Sequence, residues 1–448
     1  MKETTKWSIT VALAGFLFGF DTVVISGANQ PIKDIWELSP LFHGTFIMSM
    51  ALWGTVAGSL FGGIPTKILG RKKTLFWIGV LFFISAIGSA LAPDPYLFSF
   101  FRFIGGVGVG VSSVAAPIYI SEISTGANRG KLGGLYQFCL VFGILIAFVS
   151  NYLLKGFDGL NDWRWMLGVE AVPALIYTLM VLKVPNSPRW LVLQKKDDQA
   201  ALVVLSKIYS SEEAVAQLKE IKVDLIKPKT GDRLFQKKYS RVLWLGFLIA
   251  FFNQLSGINF VLYYAPEILE QAGLGGSESL FNSIAIGIVN LVFTIIGVRL
   301  LDKLGRKQLI IIGSIGYIFS LIMVGICFQQ DLGPTPTLIF ICLFIASHAI
   351  GQGAVIWVFI SEIFPNRVRA YGQSWGTSTH WVFAAVITLI TPFFLDKDLG
   401  ILKDAVWYIY YFFAAMMVLQ LVWAIFKMPE TKGVSLEALE KELIPEDE

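Results

Sequence analysis

Charge is scarce in this sequence of 448 residues. Asp, Glu, Lys and Arg together make up 15%, where a soluble domain averages about a quarter. That deficit excludes an ordinary solvated globule. Cysteine is scarcer still: Cys139, Cys327 and Cys342 are all there are, and each falls within an apolar run. A disulfide framework and a cysteine zinc site are thereby excluded, leaving packing as their role. An HExxH zinc helix and a P-loop are both missing, and no other catalytic constellation is visible. The chain therefore reads as no enzyme, with no metal and no cofactor. No Asn-x-Ser/Thr acceptor occurs either, which favours a bacterial inner membrane over a glycosylated surface.

What the chain has in abundance is apolar bulk: 55% of residues, with 36 Phe and 13 Trp. The apolar residues come in runs of about twenty, the length that crosses a hydrocarbon core of about 30 Å. A soluble helix would instead show an apolar stripe every three to four residues. The runs predict an all-α membrane protein with spans at 7–27, 44–65, 74–92, 97–123, 131–154 and 164–184. A second set falls at 241–271, 280–301, 308–328, 337–361, 372–395 and 405–427. The first run contains Asp21 and has no evident signal-peptidase site, so it reads as a retained helix.

Loop charge orients the chain in the bilayer. With both termini cytoplasmic, only Lys33, Lys155, Arg164, Lys397 and Lys403 fall outside, and Arg102 lies within a span. The remaining basic residues are inside, as the positive-inside rule requires. The formal charge of +4 is thus a topology signal and implies no nucleic-acid partner.

The chain repeats itself. GRKKTL at 70–75 recurs as GRKQLI at 305–310, SEIS at 121–124 as SEIF at 361–364, and PNSPR at 185–189 is echoed by PETKG at 429–433. One six-helix unit has been duplicated, which predicts two pseudo-symmetric halves with a substrate site near the midplane. The halves are expected at 1–184 and 241–428. Between them, 185–240 is rich in Lys, Glu and Asp and reads as a small cytoplasmic helical insert; 429–448 is an acidic tail.

The ordered motifs resemble the sugar porter family of the major facilitator superfamily. They run from FGFDTVVISG at 18–27 through RFIGGVGVG at 102–110, PIYISEIS at 117–124, RGKLGGLYQF at 129–138 and NQLSGIN at 253–259 to PETKG. The chain departs from the pattern in places. Lys67 stands where the family has Asp, although the second copy keeps Asp302 beside Arg306. Asn253 replaces a Gln, Ala354 a Pro, and His380 an amide. These departures touch the identity of the sugar and one inner-gate ion pair, not the class.

A sugar is a ring of hydroxyls with an apolar face, so its site needs neutral donors and acceptors beside aromatic rings. Inside the spans stand Gln137, Asn253, Gln254, Asn259, Asn290, Gln352 and His380, with Tyr263, Tyr264, Trp357 and Trp381. The resemblance implies that Gln137, Gln254, Asn259 and Asn290 touch sugar, with Asn253 at a further contact position. Ser256-Gly257 breaks span 7 and, with Pro266, makes its outer part, with Tyr263 and Tyr264, a candidate gate. Glu122 with Arg129, and Glu362 with Arg369, are expected to form ion pairs between the halves that hold the inner side closed.

Asp21 and Arg102 lie at similar depths, and charges in hydrocarbon are expected to pair. A carboxylate can be neutralised by a proton; a guanidinium cannot. The resemblance sharpens this point: proton-coupled members carry Asp at the first position, facilitators usually Asn. The expected activity is proton-coupled import of a monosaccharide by a monomer, with a uniporter or a non-transporting sensor as rivals. His43 is expected to be solvated at the outer mouth of span 2.

Overall fold

The structure is a computed structural model that describes residues 3–125, 128–226, 233–365, 367–434 and 436–444. Among them are twelve helices long and apolar enough to cross a membrane. Spans 1 to 6 are Glu3–Ile35, Pro40–Phe61, Arg71–Leu91, Pro95–Glu122, Lys131–Leu154 and Gly159–Val181. Spans 7 to 12 are Lys237–Tyr263, Gly276–Leu304, Arg306–Gln329, Pro334–Ile363, Tyr371–Leu395 and Trp407–Phe426. No strand occurs among the described residues.

Local chemistry sets the ends. Span 4 starts where Asp94 accepts hydrogen bonds from the amides of Tyr96 and Leu97, with Pro95 in the first turn; Pro at that position loses no helical bond. Span 1 runs further than its apolar run, to Ile35. Span 7 is shorter than expected. Its first helix, Ser240–Leu255, stops at Ser256; a second, Ile258–Tyr263, follows, and Ala265–Gln271 is a separate helix. Gly257 is the reason for the break. Its φ is +86°, and a Cβ there would stand 2.7 Å from the Phe413 ring. Span 10 is broken likewise at Gly351, between Pro334–Ile350 and Gln352–Ile363.

The chain divides into two compact units. The first contains Met1–Val24, Met50–Ser150 and Asp158–Lys229. Within it, spans 2 and 4 pack without side chains between them: a Cβ on Gly106 would lie 1.8 Å from the Ala51 carbonyl oxygen. The stretch expected as an insert falls here in large part, as Pro188–Trp190, Leu191–Lys195, Asp198–Leu205 and Ser211–Ile226. It is docked: Trp190 is buried and its indole N–H donates to the Lys67 carbonyl at 2.9 Å.

The second unit contains Ile25–Ser49, Asn151–Phe157 and Thr230–Glu448. The end of span 1 and the start of span 2 thus group with the C-terminal helices, a division that a cut between two sequence halves does not anticipate. The reason is visible in the bonds they make. Asn29 donates to Glu267 at 2.9 Å, Lys33 pairs with Asp396, and Gly44 sits so close to Leu389 that a Cβ would meet its carbonyl oxygen at 2.0 Å. His43, expected in solvent, is 1% exposed and bonds the Asn29 side-chain oxygen at 2.5 Å. A polar partner one helix away made burial affordable where hydropathy alone suggested water. Beyond Gly433, Leu436–Leu443 forms the short tail helix.

Candidate functional site

Each unit holds a buried polar cluster in the middle of its spans, and the two differ in kind. In the first, Arg102 donates to the Asp21 carboxylate at 2.5 Å and to the Asp21 carbonyl at 3.1 Å. Both side chains are 2% exposed. Span 6 adds an acid that the sequence reading did not single out. Glu170 is 1% exposed, within hydrogen-bonding reach of Asp21 and in the field of Arg102. Arg102 thus bonds Asp21, and Glu170 is a second buried acid beside that pair. Removing one member of a buried ion pair costs about 3–5 kcal/mol, because the other charge is left uncompensated.

In the second unit the cluster is neutral. Around the break in span 7, Gln254 donates to Asn253 at 3.1 Å, and Asn259 donates to Gln254 at 3.0 Å. Both ring nitrogens of His380 lie within 3.2 Å of the Gln254 amide nitrogen. Asn253 in turn donates to Gln352 at 3.4 Å, on the helix that restarts span 10. Three aromatic rings meet there: His380 stands 4.9 Å from Trp357 and 4.7 Å from Trp381, ring centre to ring centre. Trp381 is buried, whereas Trp357 is 36% exposed. Donors, acceptors and ring faces without net charge are what a polyol needs.

The family model for "Sugar (and other) transporter" matches residues 7–443. The chain belongs to that family. It is 36% identical to the arabinose-proton symporter of Bacillus subtilis, over 97% of this chain and 94% of the relative. With the D-xylose-proton symporter of Escherichia coli it shares 33% identity, over 98% and 95%. The xylose transporter of Escherichia coli in a partially occluded inward-open conformation superposes with a TM-score of 0.85 at 31% identity, covering 96% of this chain and 99% of that one.

Against that family the remaining expected residues can be placed. Asn253, Gln254, Asn259, Gln352, His380 and Trp381 come together in the second unit, with Trp357 beside them. Asn290 is buried midway along span 8, where Thr294 donates to its side-chain oxygen at 3.5 Å; no bond joins it to the span 7 amides. Gln137 is half-buried on span 5 in the first unit. Tyr263 and Tyr264 are both buried, and Tyr264 donates to the Thr388 carbonyl at 2.9 Å.

The inner-side acids differ from expectation. Glu122 accepts two bonds from Arg71, at 2.9 and 2.7 Å, and one from Ser187 at 2.5 Å. Glu362 accepts two from Arg306, at 3.0 and 2.7 Å, and one from Thr431 at 2.6 Å. These partners lie within a unit, because the guanidinium after each GRK glycine reaches the acid of the same copy. Arg369 donates to the Phe364 carbonyl at 3.2 Å, and the Arg129 side chain lies outside the described residues. Asp302 is exposed and makes no ion pair among the described residues, so replacing its counterpart by Lys67 removes no ion pair of this arrangement.

Against the expectation that no nucleophile-elbow pattern occurs, residues 372–376 spell G-x-S-x-G, the pattern of a hydrolase nucleophile elbow. Ser374 lies inside the helix Arg369–Leu395 and not on a strand-to-helix turn. The spelling carries no hydrolytic chemistry, and the chain is a transporter rather than an enzyme.

Proposed function

We propose that the chain imports a monosaccharide, a pentose or hexose, together with a proton, by alternating access. The observation that carries this reading is the buried cluster of Asp21, Arg102 and Glu170. A carboxylate paired with a guanidinium can take up a proton and so dissolve the pair, because the guanidinium cannot give up its own charge. Relatives named as arabinose- and xylose-proton symporters support the same chemistry. In the proposed cycle a proton taken from outside neutralises Asp21 and loosens Arg102 from it. The sugar-loaded carrier then turns inward, and loss of the proton to the cytoplasm restores the pair.

The sugar is assigned to Gln137, Asn253, Gln254, Asn259, Asn290, Gln352 and His380, with Trp357 and Trp381 covering its apolar face. Tyr263 and Tyr264 gate the outer side. Glu122, Glu362 and their arginines brace the inner side, and Arg129, Arg369 and Asp302 are assigned to the same gate. Both termini are placed in the cytoplasm of a bacterial inner membrane, with the lipid bilayer around a functional monomer. The test is uptake of labelled pentoses and hexoses into proteoliposomes, with and without an imposed proton gradient. Accumulation above the outside concentration only with the gradient is expected. Uptake that merely equilibrates, gradient or not, would make the protein a uniporter.

A further inference from the structure

The neutral cluster does not end at Gln352. The Gln352 amide nitrogen donates to Gln420 on span 12 at 2.6 Å, and the Gln420 amide nitrogen donates to the Ser314 hydroxyl on span 9 at 2.8 Å. Gln352, Gln420 and Ser314 are fully buried. Ser314 has one proton, and it is given to the Ile310 carbonyl at 2.7 Å. Towards Gln420 the hydroxyl can therefore only accept.

That single constraint fixes the direction of every amide in the line. Gln420 must turn its nitrogen to Ser314 and its oxygen to Gln352. Gln352 must then offer its nitrogen to Gln420 and its oxygen to Asn253. The Asn253 oxygen is left for the Gln254 nitrogen, and the Gln254 oxygen for Asn259, as observed. An amide in water turns over freely between its two orientations. Here the choice is made two helices away from the residues assigned to the sugar.

We propose that Gln420 is a positioning residue: anchored by Ser314 and acting through Gln352, it sets which way the amides of Asn253 and Gln254 face, and so which sugar hydroxyls are accepted. The proposal rests on the reading that the span 7 amides contact sugar. Reversing one amide exchanges a donor for an acceptor at the site, which an epimer of the sugar would register.

The chemistry separates this role from packing. Gln420→Met keeps the volume but gives Gln352 nothing to donate to, so the line loses its direction. In Gln420→Glu, the buried protonated acid donates its O–H to Ser314 and accepts from Gln352 through its carbonyl oxygen, so the direction is kept. Ser314→Ala removes the anchor. Binding is measured on the purified protein by intrinsic tryptophan fluorescence, over a panel of pentoses and hexoses that differ in the configuration of one hydroxyl. Thermal unfolding of each variant checks its fold.

Gln420→Met and Ser314→Ala are expected to weaken the preferred sugar about three- to tenfold and to narrow its lead over its epimers. Gln420→Glu should keep both affinity and ranking. If Gln420→Met binds the panel as the native chain does, or if Gln420→Glu is the damaging change, Gln420 only packs and the proposal falls. Gln254→Ala is measured alongside. Unchanged binding in Gln254→Ala would overturn the sugar site itself, whereas weakened binding there with an unaltered Gln420→Met ranking overturns the relay alone.

Discussion

The two copies of the repeated segments agree around GRK and SEI and part company in the middle of the spans. On the inner side they superimpose in chemistry: Arg71, Glu122 and Ser187 in one, Arg306, Glu362 and Thr431 in the other, with the shortest Arg–carboxylate contact 2.7 Å in both. Each arginine also reaches back to a carbonyl, of Thr66 at 3.3 Å or Leu301 at 3.4 Å. At depth, one copy carries the buried Asp21–Arg102 pair with Glu170 beside it, and the other a line of neutral amides. On the proposed reading, proton coupling falls to the charged cluster and sugar recognition to the neutral one.

The comparison is broken most severely by Asp21→Asn. A potential of 100 mV supplies about 2.3 kcal/mol per proton, which sustains roughly fiftyfold accumulation of sugar before any pH gradient is added. Asn can still accept from Arg102 but exchanges no proton. Accumulation in vesicles should vanish while sugar binding and counterflow persist. Vesicles of this variant that still concentrate sugar would place the proton switch elsewhere.

A smaller loss is expected on the neutral side. Gln137→Ala, Gln254→Ala and Asn290→Ala should each raise the dissociation constant about five- to 150-fold, the range for a hydrogen bond lost in a dry pocket. Accumulation per bound sugar should be untouched. His380→Asn should reorder competing sugars, and an unchanged order would reduce His380 to a wall. Coupling that fails in these variants at saturating sugar would mean that the two clusters are not separate devices.

Next come the parts that match. Arg71→Ala and Arg306→Ala each strand a carboxylate and should destabilise by about 1–3 kcal/mol. Because the geometry repeats, thermal unfolding in detergent should show comparable losses. A large asymmetry would mean that one copy bears the brace alone.

The smallest effect concerns the outer side. Burial alone would raise the Asp396 carboxyl, but the hydrogen bond from Lys33 and the amides of Leu399 and Asp398 hold it below its ordinary value. A depressed carboxylate contributes above its unfolded value and loses that contribution only as pH falls through the folded one. The latch should therefore be intact throughout pH 5.5–7.5. Asp396→Asn should lower the unfolding temperature by about 1–2 °C, equally at both ends of that window. A difference confined to pH 7.5 would show that the acid is already neutral at 5.5.

Much of this was legible in the residues. Run length predicts the twelve spans, and the repeated GRK and SEI segments hold the residues that form the matched clusters, although the sequence reading paired their acids with other arginines. NQLSGIN marks the break in span 7, since Gly257 supplies the positive φ that other residues resist. Glu170 and Gln420 were within reach too. Each is a polar residue inside an apolar span, and the rule that singled out Asp21 applies to both. What hydropathy could not provide is partnership. His43 reads as a solvated mouth residue until Asn29 is found beside it, and Glu122 reads as a tie between halves until Arg71 takes both of its oxygens.

The latch on the outer side also has a consequence for biogenesis. Asn29 lies 238 residues before Glu267, and Lys33 lies 363 residues before Asp396. At about 5–20 residues per second, a ribosome needs roughly 20 to 70 s to cover the longer interval. For that time the first hairpin is in the bilayer with its outer end unfastened, and His43 with it. A nascent chain arrested before Asp396 should be cut between spans 1 and 2 by a protease added from outside. Resistance should arrive only once span 11 has emerged, so the last clasp to close is one whose first half was made at the start.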